Sequence, residues 1–325
     1  MNGAIYALLA LSLVLVFAVT RVILIPQGEF VAFGALTYAA LDSGQLPGSV
    51  WLLAALGVAA FVAGLLQERR GVLRLGVETL LVPAVVIGLT VLLAPRRAGV
   101  VVEALLSVAI VTPMAPYLYR VAFQPLAEAS VLVLLIASVG VHLALNGLGL
   151  VFFGPEGFRA QGFSDARYAV GNLVVPGQAL WIVGLTLLVM AGLGLFFDRT
   201  LAGKALRATA VNRLGARLVG IATSLSGRIA FALAGLIGAI SGVLIVPLTT
   251  IYYDTGFLIG LKGFVAAIVG GLASYPLAAA AAILVGCVES FSSFYASAFK
   301  EVIVFTVIIP VLLWRSLRGA AEEEE

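Results

Sequence analysis

The sequence holds one cysteine, Cys287, and one histidine, His142, in 325 residues. A lone cysteine in an apolar run excludes an intrachain disulfide and a cysteine-built metal cluster. A lone histidine excludes a multi-histidine metal site and argues against a paired-imidazole proton relay. Charge is scarce as well. Asp, Glu, Lys and Arg make up 11% of the chain, where soluble domains carry about a quarter, so an ordinary soluble fold is excluded. Catalytic signatures are also missing: there is no Gly-x-Ser-x-Gly, no Gly-x4-Gly-Lys-Ser/Thr phosphate loop, no Cys-x-x-Cys and no His-Glu-x-x-His. The chain is therefore not expected to be an enzyme, and any uphill movement it supports must draw on an ion gradient or on another polypeptide.

What is present is apolar sequence. Hydrophobic residues make up 62% of the chain, and the mean hydropathy is +1.16. The runs Ile5–Ile25, Val77–Ala94, Ser130–Phe153, Ala179–Phe197, Ile229–Pro247 and Val302–Trp314 carry few or no charges. Most approach the roughly 20 residues that a helix needs to cross a bilayer. They are apolar throughout rather than at every second residue, which predicts helices and not barrel strands. The expected fold is an all-α integral membrane protein, a polytopic bundle of about ten transmembrane helices with nine to eleven allowed. The first run lacks a basic leader and is followed by other spans, so it is expected to be a retained helix rather than a signal peptide. The net charge of +3 would suggest nucleic acid in a soluble protein. Here the basic residues sit mainly between spans, as the positive-inside rule requires, and no nucleic-acid partner is expected.

That rule orients the chain. The largest basic cluster, Arg199 to Arg228, is expected on the cytoplasmic side, with Arg315 and Arg318. Four crossings fit between them: Ile229–Pro247, Phe257–Ala273, Pro276–Phe294 and Val302–Trp314. Counting backwards puts the Gly- and Pro-punctuated segment 154–177 outside, as a loop, and Gln67–Arg74 inside. The same count places Arg96 and Arg97 outside, against the bias, unless a short stretch such as Glu29–Leu41 does not cross. Neither extramembrane segment is long enough to bury a core of its own. Residues 1–325 thus read as one membrane domain with a cytoplasmic loop 198–228, a periplasmic loop 154–177 and an acidic tail 319–325.

Polar residues at membrane depth are expensive, so each needs a reason. Pro26 and Gly28 break the helix in "ILIPQGEFVAFGAL", and Gln27 and Glu29 arrive at the break. This reads either as a cytoplasmic turn with Glu29 capping the next helix, or as a broken helix beside a substrate pathway. His142 and Asn146 lie four apart on one helix face, where hydrogen bonding between helices competes with ligand binding. Glu78, Glu103 and Glu289 read as isolated carboxylates. Lys262 and the pair Lys300–Glu301 read as residues at helix beginnings, explained by snorkelling and capping. Tyr252 and Tyr253, in "TTIYYDTGF", suit an interface belt or a docking surface outside.

The stretch "DRTLAGKALRATAVNRLGARLVG", Asp198 to Gly220, stands out. Leu206, Ala210, Leu214 and Leu218 recur every four residues, one face of a helix, with Arg207 inside the stripe. Gly203, Gly215 and Gly220 punctuate it, so one or two short helices are expected. A basic amphipathic element of this kind serves as a lipid-binding surface, a topology signal or a docking knob for a cytosolic partner.

Gly203, Ala205, Arg207, Ala208, Ala210, Ala216, Gly220 and Ile221 resemble the Gly-x-Ala-x-Arg-Ala-x-Ala-x-Asp…Ala-x-x-x-Gly-Ile pattern of the branched-chain amino acid class of ABC-importer permeases. Asn212 stands where that family usually has Asp. "QGEFVAFGAL" resembles the family's His-Gly-Glu…Gly-Ala entry, with Gln27 for His and Leu24 for Asn. "GFLIGLKGFVAAIVGGLASYPLA" resembles its Gly…Lys-Ala-Phe…Val-x-Gly-Gly…Pro-Gly-Ala block, with Leu277 where Gly is common. The resemblance covers most of the chain, and the segment between Leu41 and Pro116 is longer than usual by one or two helices.

The resemblance implies a passive subunit of the ABC-importer permease type in a bacterial inner (cytoplasmic) membrane. It would pair with a homologous permease or a second copy of itself, two cytosolic ATP-binding subunits and a periplasmic substrate-binding protein, in contact with membrane lipid. ATP and magnesium would be held by the partner subunits, with no cofactor or metal on this chain and no catalytic residue. The expected ATPase-coupling residues are Gly203, Lys204, Ala205, Arg207, Ala208, Ala210, Asn212, Arg213, Gly215, Ala216, Arg217 and Gly220. The expected pathway residues are Gln27, Gly28, Glu29, His142, Asn146 and Lys262. The implied cargo is a branched-chain amino acid or a related small polar or carboxylate compound. An ion-coupled carrier acting without an ATPase is the alternative.

Overall fold

The structure, a computed structural model, describes residues 1–67, 71–164, 166–170, 173–272, 274–306, 309–311 and 313. Residues 68–70 of the expected cytoplasmic loop, Arg315, Arg318 and the tail 319–325 lie outside the described residues, as does part of the last expected span.

Charge-poor runs become helices throughout. They are α1 (Asn2–Thr20), α2 (Gln27–Asp42), α3 (Ser49–Gln67), α4 (Val72–Arg96), α5 (Val100–Phe123), α6 (Val131–Phe153) and α7 (Gly177–Arg199). After them come the short α8 (Leu201–Val211) and α9 (Arg213–Leu218), then α10 (Thr223–Ile245), α11 (Thr255–Val269), α12 (Tyr275–Tyr295) and α13 (Lys300–Thr306). Eight are long and apolar enough to cross a membrane, and α11 is a shorter apolar helix. Helix α2 has sixteen residues, and α13 begins the last expected span, Val302–Trp314, part of which lies outside the described residues. Between Leu41 and Pro116 lie α3 and α4, which pack against each other and against α5.

The stretch suspected of not crossing proves to be the most enclosed element. Every residue of α2 from Gln27 to Leu41 is buried. The chain leaves α1 at Arg21 and passes through a non-helical segment, where the Ile25 amide donates to Ser138 Oγ in α6 (3.0 Å). It restarts as a helix at Gln27, inside the bundle, and ends where Asp42 accepts from the Gln161 amide. Helix α2 is seated between α10 on one side and α11 on the other, with α5 along a third face. Small residues permit the approach, as interfaces between membrane helices require. A Cβ on Gly28 would run into the carbonyl of Gly256, and one on Gly34 would lie 2.7 Å from the carbonyl oxygen of Ala239. By contrast α4, α6 and α7 present rows of exposed leucine and valine, including Leu89, Leu143 and Leu187, to the bundle's exterior.

Hydrogen bonds sort the two ends. At one, Phe158 bridges Ile251, Arg159 donates to the Leu248 carbonyl (3.0 Å), and Asp42 meets Gln161. Arg97 donates to the Ser43 carbonyl (3.3 Å), at the C-terminus of α2 and hence at this same end. Arg97 thus lies at the end that carries the loop 154–177, where the count placed it. The loop 154–177 also carries an element not foreseen: β1 (Arg167–Val170) pairs antiparallel with β2 (Leu173–Pro176). The signal was available, because Gly171–Asn172 between "RYAV" and "LVVP" is a two-residue hairpin turn pattern. At the opposite end lie α8, α9 and the turn 124–129.

Candidate functional site

Proline at position 26 has no amide to donate, so the first turn of α2 opens without cost at the point where the chain turns inward. Three polar side chains gather there. Gln27 Nε2 donates to the Ala234 carbonyl on α10 (3.1 Å), and Glu29 Oε1 lies 2.7 Å from Nδ1 of His142 on α6. The imidazole stacks on Phe257 of α11 at 4.5 Å between ring centroids. His142 is about 17 Å along α6 from Val131, near the midpoint of a 23-residue helix. The break is therefore an interior feature and not a cytoplasmic turn. Glu29 Oε1 is committed to His142 and its Oε2 accepts no hydrogen bond, so the side chain does not cap α2. His142 does join helices, but through Glu29 and not through Asn146, which sits half-buried one turn on. Gln27 Oε1 and Glu29 Oε2 are buried without hydrogen-bond partners.

Lys262 belongs elsewhere. It lies midway along α11 and is buried, not at a helix beginning as expected. Its ammonium donates to Glu289 Oε1 (2.5 Å) and Glu301 Oε1 (3.0 Å). Glu289 also accepts from Tyr6 Oη and from Asn2 Nδ2 (3.1 Å), with Lys300 Nζ at 3.9 Å. The carboxylate taken as isolated is thus the hub of a cluster joining α1, α11, α12 and α13. A charge in a helix interior requires a partner on a neighbour, and one unmatched cation on α11 beside one unmatched anion on α12 was the signal available. Glu103 folds back to accept from the Gly99 amide (3.2 Å), capping α5, and Glu78 pairs with Arg74 (2.9 Å). Neither carboxylate stands free.

The basic segment forms two short helices. Asn212, in extended conformation, ends α8 and caps α9 by accepting from the Gly215 amide (2.9 Å). Asp and Asn cap comparably through a side-chain oxygen, which accounts for the exchange at this position. Asn212→Ala is expected to destabilise α9 by about 1 kcal/mol, while Asn212→Asp is neutral. Faster hydrogen exchange at the Gly215 amide in the alanine variant alone checks this.

The break also divides the apolar stripe. Leu206 is buried against the bundle, but Leu214 and Leu218 are 67% and 80% exposed. A four-residue period holds a face only while the helix continues, and here it restarts on a new axis. The arginines are engaged within the chain: Arg207 with Asp198 (2.8 Å), Arg213 with the Ala127 carbonyl (2.8 Å) and Arg217 with Glu128 (2.7 Å). Gly203 is pressed onto the end of α7, where a Cβ would collide with the Phe196 carbonyl. Lys204 is exposed, Ala205, Ala208 and Ala210 are half-buried, and Ala216 is buried. Gly220 closes the segment in the left-handed region at φ +84°.

Among the described residues, eight membrane-length helices around a short, fully enclosed one, with a basic two-helix segment at one end, define a multi-pass membrane protein. The family model described as branched-chain amino acid transport system / permease component matches residues 1–312. The chain belongs to that family. It is 29% identical over 215 residues to the high-affinity branched-chain amino acid transport system permease protein BraD of Pseudomonas aeruginosa, covering 63% of this chain and 70% of that protein. It is 30% identical over 203 residues to the permease protein LivH of Escherichia coli K12, covering 60% of this chain and 65% of LivH. A probable LivH of Methanocaldococcus jannaschii is 30% identical over 207 residues, covering 59% of this chain and 65% of that protein. The chain thus spans just under two thirds of the length of the LivH relatives. No solved structure matches it.

Proposed function

We propose that this chain is the membrane-embedded subunit of an ATP-binding-cassette importer in a bacterial inner membrane. Its cargo is a branched-chain amino acid or a related small polar or carboxylate compound. It works beside a second permease subunit, either homologous or identical, and receives substrate from a periplasmic binding protein. Two cytosolic subunits hold ATP and magnesium and perform the hydrolysis, and this chain has no catalytic role. The observation that carries the reading is the surface of α8 and α9. Leu201, Val211, Leu214 and Leu218 project into solvent there, while the arginines among them are spent on intrachain bonds. A topology signal needs only charge. Exposed leucines on short helices instead suit insertion into a protein groove.

The substrate route we place beside the break that precedes α2, at Gln27, Gly28, Glu29 and His142. The two unpartnered oxygens of Gln27 and Glu29 suit a passing ammonium group, and α2 must part from α11 to admit it. Asn146, one turn from His142, completes that face. Lys262, on the same helix as Phe257, holds α11 in place through Glu289.

One uptake assay in proteoliposomes reads both parts. Leu214→Asp with Leu218→Asp is expected to abolish ATP-driven uptake and co-purification of the ATPase, with insertion unchanged. Glu29→Gln is expected to lower uptake about tenfold or more while the ATPase still co-purifies, which corresponds to one lost charge-assisted hydrogen bond. Uptake that needs no ATPase and follows a proton or sodium gradient would replace this reading with an ion-coupled carrier.

A further inference from the structure

A groove of about 960 Å³ opens at the end of the bundle that carries α8 and α9, between the second half of α1 and the second half of α7. Its depth is apolar, lined by Leu11, Leu15, Met190 and Leu193. Its mouth is not. Arg21, Arg207, Asp198 and Tyr275 stand around it. Arg207 is neutralised by Asp198 at 2.8 Å. Arg21 has no acidic partner among the described residues; its guanidinium sits over its own Phe17 ring at 6.0 Å. It closes α1 in the left-handed region, at φ +62°, a conformation usually left to glycine.

The dimensions fit one leaflet. From Leu11 to Arg21 the helix rises about 15 Å, half of a hydrocarbon core of about 30 Å. Gly194 of α7 lines the hollow, and a Cβ there would meet nothing within 4 Å. An apolar slot one leaflet deep, ending in an unpaired cation beside a second arginine and a tyrosine hydroxyl, has the chemistry of a phospholipid with an anionic headgroup. A helix from a protein partner would satisfy the apolar depth but has no use for the free charge at this level.

We propose that this groove binds one anionic phospholipid of the cytoplasmic leaflet. An acyl chain lies between α1 and α7, and the phosphate sits by Arg21 with Arg207 and Tyr275 beside it. Because Arg207, Leu206 and Ala210 of α8 form one wall, the lipid bridges the membrane core to the cytoplasmic two-helix segment. The site depends on the chain being embedded in a membrane and not on what it transports.

The test is lipid retention. The full chain is purified in a mild detergent from vesicles of phosphatidylglycerol and phosphatidylcholine, and bound lipid is measured per chain by mass spectrometry. Phosphatidylglycerol is expected to be retained selectively. Gly194→Trp, which fills the slot, and Arg21→Gln, which removes the charge, are each expected to lower retention about fivefold or more, the effect of one basic contact. Gly192→Trp is the folding control. It lies on the same helix with equally open surroundings but outside the groove, and should retain lipid normally. Equal retention in Gly194→Trp, or equal retention of phosphatidylcholine, overturns the proposal. So does a disulfide between two copies of Gly194→Cys in a Cys287→Ser background, since a second chain would then occupy the groove.

Discussion

Replacing Lys262 with methionine is expected to destabilise the bundle by about 3–5 kcal/mol, the cost of breaking a buried ion pair from one side. The side chains of Lys262 and Glu289 are only 6% and 4% exposed, so no solvent screens what is left behind. Glu289 would keep its bonds from Tyr6 and Asn2, which temper the loss without cancelling a carboxylate at membrane depth. Glu301 would lose its bond to the Lys262 ammonium as well, and its second oxygen is already buried without a partner. The double variant Lys262→Met with Glu289→Gln removes both buried charges and is expected to recover most of the deficit, since Glu301 keeps Lys300 at 3.4 Å. Unfolding midpoints in detergent for the two single variants and the double variant form a complete cycle. A lysine variant as stable as the parent would show that the cluster contributes nothing to the fold.

Gly256→Val is expected to be comparably damaging, for a reason that involves no charge. Overpacking usually costs about 1–3 kcal/mol because side chains shift to make room. Here the obstruction is backbone: a Cβ at Gly256 meets the carbonyl of Gly28, and one at Gly28 meets the carbonyl of Gly256. Neither helix has a side chain to move aside, so the axes must separate, and the Phe257–His142 stack separates with them. The loss should reach or exceed the upper end of that range. Gly192→Ala and Gly194→Ala on α7, where no atom lies within 4 Å, are expected to stabilise slightly, by up to about 1 kcal/mol of helix propensity. The fraction of monodisperse protein surviving a thermal challenge separates the two outcomes. Equal survival of the α2–α11 and α7 variants would rule out the close crossing.

These contrasts mark what the sequence could convey. Helices α1, α6, α7, α10 and α12 were legible because lipid demands long uncharged runs, and such runs are a local property. That the basic segment forms short helices was legible too, from Gly203, Gly215 and Gly220, but its division at Asn212 was not. Partnerships across the bundle were not. Glu29 and His142 are 113 positions apart, and nothing near either residue names the other. Lys262 and Glu289 were closer to legible, as opposite charges on successive apolar helices. The seat of α2 was hidden for a different reason. A helix coated entirely by protein need not be long, uniformly apolar or uninterrupted, so it carries none of the marks by which spans are found.

That coating has a consequence for how the protein is made. Helix α2 emerges from the ribosome second, yet the surfaces that receive it, α10 and α11, are synthesised near the end. With Gln27 and Glu29 at its head and no lipid-facing side, it has little reason to settle in the bilayer alone. It must wait, loosely held or shielded by the insertion machinery, until the last third of the chain arrives. A chain cut short before Thr223 is therefore expected to be cleared by quality-control proteases and not to accumulate as a stable half.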